Sequence, residues 1–259
     1  MDAVTDIMTL VYDVAGIKLG EGKRSMVEAR LGKRLRQLGC DLPTYAARLH
    51  RDDEEVIRCL DLMTTNHTAW KREPVHFTDL ARRVLPALRN QRLRMWCAAA
   101  ATGEEPWTIA LTVHQALADL AQWDVGILAT DISTRALAVA ETGHYSAERI
   151  ATLDADERRV AVERRSGSEE SWSVTPTLRQ MLTFARLNLM NEWPMRGPFD
   201  VIFCRNVMIY FDQHTQERLV NRLAALLTPG GTLYVGHSES LSAITHPLRS
   251  LGPATYVRV

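Results

Sequence analysis

The chain has 259 residues, 46% hydrophobic and 24% charged, which is globular composition with ample material for a core in one large domain or two smaller ones. Its formal net charge is zero, so no global field draws nucleic acid or a membrane surface. The cysteines (Cys40, Cys59, Cys97 and Cys204) form no C-x-x-C pair, which predicts reduced thiols in a cytoplasmic protein and argues against a zinc site or a disulfide frame.

The N-terminus carries Asp2 and Asp6 and lacks the basic start of a signal peptide. No apolar run nears the roughly 20 residues that span a bilayer, so no membrane insertion is expected. The first 70 or so residues read as helical. Val27, Leu31, Leu35 and Leu38 share one face of a helix that Gly39 can stop. Tyr45 to Leu49 and Val56 to Met63 suggest further short helices. After about Arg94 the pattern changes to alternating strands and helices. "RMWCAAA" (94–100) reads as a strand running into a small-residue loop, and 104–120 as a helix. "VGILATD" (125–131) is a strand, followed by a helix that Ser133 can cap and Gly143 can end. "FDVIFC" (199–204) is a strand, 212–227 a helix with Asp212 as N-cap, and "PGG" (229–231) a turn into the strand "TLYVGHS". "ATYVRV" closes the chain as an edge strand. This alternation predicts an α/β fold, a doubly wound parallel sheet with helices on both faces. Between Tyr145 and Asn188 the pattern breaks, and short strands joined by turns, one of them at 166–171, predict an antiparallel insertion.

In open α/β sheets, ligands bind beyond the carboxyl ends of the strands. There the sequence sets "AAAATGEEP" (98–106), Asp131, Asn188, Arg205 and Asn206. It has neither G-x-G-x-x-G nor a P-loop lysine. An acidic pair, Glu104 and Glu105, at a helix start suits a cationic ligand better than a pyrophosphate. A sulfonium cofactor, S-adenosylmethionine, fits, although another nucleoside ligand stays open on spacing alone.

The segments "TTNHTAWKREPVHF" (64–77), "ATGEEPWTIA" (101–110), "ATDIS" (129–133), "FDVIFCRNVMIYFD" (199–212) and "TPGGTLYVGHSESL" (228–241), in this order, resemble the chemoreceptor glutamate methyltransferases of bacterial chemotaxis, the CheR family. The resemblance implies a helical receptor-docking domain at 1–72, a linker at 73–92, and a Rossmann-like S-adenosylmethionine-dependent methyltransferase domain at 93–259 with a β insertion at about 146–187. It implies cofactor contacts from Asn66, Thr68, Arg72, Glu105, Asp131, Asn188, Leu189, Arg205 and Asn206, with Asp131 on the ribose. It also implies that Tyr210 lies near the transferring methyl group, with Arg72 as its catalytic companion. The expected products are γ-glutamyl methyl esters and S-adenosylhomocysteine. Lys71 and His67 depart from the family pattern, and Lys71 is expected to add a cation at the pocket rim. These departures keep a rival alive, a cofactor-binding signalling module with little turnover. A second rival, methylation of nucleic acid or a small molecule, would want a stronger basic channel.

The helix bearing Val27 and Leu31 has a basic opposite face. Lys23, Arg30, Lys33 and Arg34 on it are expected to dock on the chemoreceptor's cytoplasmic helical domain by electrostatic steering. In some members of the family the β insertion binds a peptide from the receptor's C-terminus, and an exposed strand edge would serve. His237 is expected to order a loop near the pocket and not to act as a base.

Overall fold

The computed structural model describes residues 2–89, 91–165 and 171–259. The chain begins with helices α1 (Ala3–Ala15), α2 (Arg24–Leu38), α3 (Leu42–Leu49) and α4 (Asp53–Met63). Asp2, Asp41 and Asp52 cap α1, α3 and α4 by accepting hydrogen bonds from first-turn N–H groups. Gly39 ends α2 in the left-handed conformation, as its position predicts. Val4, Ile7, Val11, Val27, Leu31, Tyr45, Leu49 and Leu60 bury the facing stripes of these helices.

Residues 73–92, expected as a linker, contain helix α5 (Val75–Asp79), a wide π-helical segment (Leu80–Val84) and the short α6 (Leu85–Ala87). Phe77, Leu80, Val84 and Leu85 are buried here against Leu93, Met95 and Trp107. The segment is thus a packed element. Pro74 and Pro86 together with Arg82 and Arg83 interrupt the apolar period and hid the helix from a pattern reading.

The main sheet has strands β1 (Arg92–Cys97), β2 (Asp124–Asp131), β6 (Leu182–Arg186), β7 (Phe199–Cys204), β8 (Leu227–Val235), β9 (Leu248–Gly252) and β10 (Thr255–Arg258). Its order is β6-β2-β1-β7-β8-β10-β9. The first five strands in that order are parallel, and β10 and β9 are antiparallel. The last strand is therefore not the edge; β9 covers it. Helices α7 (Glu104–Ala116), α8 (Thr134–Thr142) and α11 (Gln213–Leu226) are the crossovers. α7 stops at Ala116, four residues' reach short of the expected Leu120, and Leu120–Gln122 forms a separate 3₁₀ turn. Ser133 caps α8, Gly143 ends it, and Asp212 caps α11. The "PGG" stretch lies within β8 as a bulge, because Phe199 pairs with Leu227 but Val201 with Thr232.

The insertion is a 3-stranded antiparallel sheet of β3 (His144–Ser146), β5 (Ser171–Val174) and β4 (Val162–Arg164), in the order β3-β5-β4. It also carries α9 (Ala155–Ala161) and leads into α10 (Pro176–Arg179), which the sequence reading did not find. Residues 166–170 of the expected turn lie outside the described residues. No helix among the described residues is long and apolar enough to cross a membrane.

Alternate residues of each central strand feed opposite faces of the sheet. Met95 and Cys97 join the core under α7, whereas Trp96 joins the core that also contains the buried residues of α1 to α4. The N-terminal helices thus pack on one sheet face through a continuous apolar contact.

Candidate active site

The strand order reverses between β1 and β7, and a cleft opens there at the carboxyl ends of the strands. It encloses about 850 Å³, open solvent included, between the sheet and the N-terminal helices. Asn66, Thr68, Arg72, Glu105, Asp131, Asn188, Leu189, Arg205, Asn206 and Tyr210 all line it. The sequence named each of them, and the fold brings them together from widely separated segments.

The floor follows β1, where Ala98, Ala99 and Ala101 keep the backbone approachable. Asp131 ends β2. Its Oδ2 accepts from the Ala101 N–H at 2.8 Å and its Oδ1 from the Ser133 N–H at 2.9 Å, which fixes the carboxylate across the floor. Burial pushes this carboxyl above the usual value, and the backbone donors oppose the shift. Asn188, after β6, donates to the Val14 carbonyl at 2.6 Å and so ties the rim to α1. Ala15 and Ile17, which follow, form part of the cleft wall. Asn66 donates weakly to the Ser133 hydroxyl at 3.3 Å.

Arg205, just past β7, is the buried hub. Its side chain is fully inaccessible. Nη1 donates to Glu105 Oε2 at 2.6 Å, and Nη2 donates to the Arg72 carbonyl at 2.6 Å and to Glu73 Oε2 at 3.0 Å. Burial pushes the Glu105 carboxyl upward, with Arg205 pulling against it. Glu105 and Arg205 are thus partners of one another first, so each meets a ligand as half of a compensated pair. Burial also opposes ionisation of Glu73, but the hydrogen bonds and charge of Arg205 prevail and its carboxyl is held low.

Asn206 has a left-handed backbone, φ 57°. It is held by Glu73 Oε1 on its side chain at 3.2 Å and by Glu239 Oε2 on its N–H at 2.7 Å. Glu239 also accepts from the N–H groups of Gly236 and Ile209, clamping the loops after β7 and β8 together. Tyr210 sits in the 3₁₀ turn Met208–Tyr210, and its carbonyl accepts from the Lys18 N–H. Arg72 also lines the cleft and donates to the His67 carbonyl at 3.0 Å.

Glu73 and Glu239 are the residues that sequence reasoning missed. Both stand inside the quoted motifs, Glu73 beside Arg72 and Glu239 in "GHSES". A carboxylate there was legible as polar, but its service to backbone N–H groups was not. Glu73, His76 and His237 each bring one ligand atom within 4.8 Å of the others. The Glu73 oxygen facing them is already paired with Arg205, a cation that opposes a second one in the same place. His237 is half exposed and its N–H binds Glu73, so it orders the loop after β8.

Other expectations need correction. Lys71 does not stand at the rim; its ammonium meets Glu157 Oε1 at 2.5 Å on the far side of the turn. Of the two residues that kept the low-turnover rival alive, Lys71 is thus occupied outside the cleft, whereas His67 lines it. Arg30 and Arg34, expected on a docking face, are committed internally. Arg30 donates to the carbonyls of Leu62, Met63 and Thr64 at the end of α4. Arg34 grips the buried Glu55 with a fork of 2.8 and 2.5 Å. Lys23 and Lys33 are exposed.

Comparison with known proteins agrees with this geometry. The family model "CheR methyltransferase, SAM binding domain" matches residues 66–257, and "CheR methyltransferase, all-alpha domain" matches 2–64. A probable chemotaxis protein methyltransferase of Rhizobium etli is 40% identical, covering 95% of this chain and 96% of that protein. Chemotaxis protein methyltransferase 2 of Pseudomonas aeruginosa is 41% identical, over 95% and 89%. The chemotaxis protein methyltransferase of Escherichia coli is 40% identical, over 96% and 88%. With both of its domains matched and its strand-end residues gathered in one cleft, the chain belongs to the CheR methyltransferase family.

Proposed function

We propose that this chain transfers the methyl group of S-adenosylmethionine to glutamate side chains of a chemoreceptor's cytoplasmic helical region. The products are γ-methyl esters and S-adenosylhomocysteine, and the role is sensory adaptation in the cytoplasm. The observation that carries the reading is the composition of the cleft in a chain of this family. An alanine floor, an oriented carboxylate at Asp131, the amides of Asn66, Asn188 and Asn206, and the Arg72 guanidinium line one space. These groups fit a nucleoside with a hydroxylated sugar and a charged amino-acid tail, Asp131 taking the ribose.

When bound, S-adenosylmethionine supplies an electrophilic methyl group on a sulfonium. The attacking glutamate has a reference pKa of about 4.3 and is ionised at neutral pH, so no general base is needed. The chain's own residues orient and desolvate. Arg72 holds a carboxylate in a forked grip that lysine would not copy. Tyr210, which also lines the cleft, directs the nucleophile through its hydroxyl. Orientation of this kind lowers a barrier by several kcal/mol, up to roughly 7–11.

Receptor docking rests on Lys23, in the 3₁₀ turn just before α2, and Lys33 on α2, the exposed members of the basic set, and not on Arg30 or Arg34. The outer strands β3 and β4 of the insertion pair on one side only among the described residues, and either edge could add a receptor C-terminal peptide as a further strand. The test uses labelled S-adenosylmethionine and a receptor cytoplasmic fragment. Carboxyl methyl esters release volatile labelled methanol in alkali, which is the expected result. Alkali-stable label would transfer the assignment to nitrogen methylation, and no incorporation would reject it.

A further inference from the structure

Arg72 enters the cleft from a turn with an uncommon backbone. The residues on either side of it, Lys71 and Glu73, both lie in the left-handed region, at φ 57° and 55°. Long side chains rarely adopt this conformation, and it persists only where surrounding contacts impose it. Here both flanks are tied. On the inner flank Glu73 accepts from Arg205, Asn206 and the His237 N–H, and Arg205 also takes the Arg72 carbonyl. On the outer flank the Lys71 N–H donates to Thr108 Oγ1 at 3.1 Å, and its ammonium meets Glu157 Oε1 at 2.5 Å.

The outer anchor belongs to the insertion. Glu157 lies in the first turn of α9, and its other oxygen accepts from the Asp154 N–H in a capping box, which holds it in place. Nearby, Thr152 donates to the Trp70 carbonyl, and the Trp70 ring meets Tyr145 edge-on at 5.7 Å. The inserted subdomain therefore supports from outside the turn that Arg205 and Glu73 support from inside. Neither Lys71 nor Glu157 is among the residues lining the cleft.

We propose that Lys71, held by Glu157, is a positioning residue: it fixes the strained turn and so the direction from which Arg72 enters the cleft. The Lys71 side chain is 34% exposed and that of Glu157 12%, so the pair is partly screened. Its loss should weaken donor-site binding by roughly twofold to fivefold. The inference rests on the role proposed for Arg72, and a double-mutant cycle separates the two.

The affinity for S-adenosylhomocysteine is measured by calorimetry on the full chain. The variants are Lys71→Met, Lys71→Arg and Glu157→Gln, each made also in an Arg72→Ala background, with melting temperatures recorded alongside. Lys71→Met and Glu157→Gln should weaken binding by about twofold to fivefold, and Lys71→Arg, which can keep the ion pair, should restore it. In the Arg72→Ala background Lys71→Met should add nothing. Equal losses in both backgrounds would mark a general structural effect and overturn the proposal. So would wild-type affinity in Lys71→Met beside a clear loss in Arg72→Ala. Wild-type affinity in Arg72→Ala itself would reject the role of Arg72 and the positioning role with it.

Discussion

Arg72 and Tyr210 both line the cleft, and kinetics should separate the roles proposed for them. Replacing Arg72 with alanine removes a charged grip, and binding of S-adenosylhomocysteine should weaken by tenfold or more, on the order expected for a lost charge-assisted hydrogen bond. Tyr210→Phe keeps the ring and loses only the hydroxyl, so kcat should fall while KM for the donor changes little. Unchanged kcat in the Phe variant would remove the tyrosine from the mechanism. Asp131, Asn188, Arg205 and Asn206 were legible because they follow strand ends, and Asn66, Thr68, Arg72, Leu189 and Tyr210 through the family resemblance; Ala15 and Ile17, which also line the cleft, had no such signal. The internal ties of Arg30 and Arg34 were hidden from a sequence reading for the opposite reason. A basic helix face looks solvated until one knows that a buried Glu55 and the carbonyl end of α4 lie against it.

Glu55 carries a pH dependence of its own. The forked hydrogen bond from Arg34 lowers its pKa most, the Tyr45 hydroxyl assists, and burial opposes; the result is about 2. A carboxyl depressed in the folded state contributes stability that is full above its unfolded value and is lost as pH falls through the folded one. Glu55→Gln should therefore be less stable than the native chain at pH 7. That difference should shrink as the pH is lowered from about 4.5, the ordinary carboxylate range, toward about 2. Urea unfolding at several pH values reads it out, and a difference that stays constant with pH would deny the pairing.

At the scale of elements, boundaries set by caps were readable and those set by packing were not. Ser133 and Asp212 announce helix starts because a short polar side chain can take a first-turn N–H, and both do so. The helical segment at 75–87 and the edge strand β9 have no such local signal. Their proline breaks and mixed polarity are overridden by burial of Phe77, Leu80 and Val84, and by pairing with β10. Ser133 illustrates a dual debt to one cap, since its hydroxyl accepts from the Ala136 N–H at 3.1 Å and also from Asn66 in the cleft. Ser133→Ala should cost about 1 kcal/mol of stability in denaturant unfolding. It should also weaken S-adenosylhomocysteine binding slightly by freeing Asn66, whereas a cap without a link to the cleft would leave binding unchanged.

Across the whole molecule, the N-terminal helices and the sheet share a continuous core, and the cleft needs both. Ala15, Ile17 and Met63 to Thr68 form one wall, and the strand ends form the other. The sequence divides these parts readily, since their periodicities differ, but it is silent on how one covers the other. Contacts such as Asn188 to the Val14 carbonyl join residues far apart in the chain and have no local trace. Titrating the intact protein with S-adenosylhomocysteine tests the arrangement most directly. The account predicts saturable binding at one site per chain, weakened by Arg72→Ala. Absence of binding, or binding indifferent to that substitution, would contradict it.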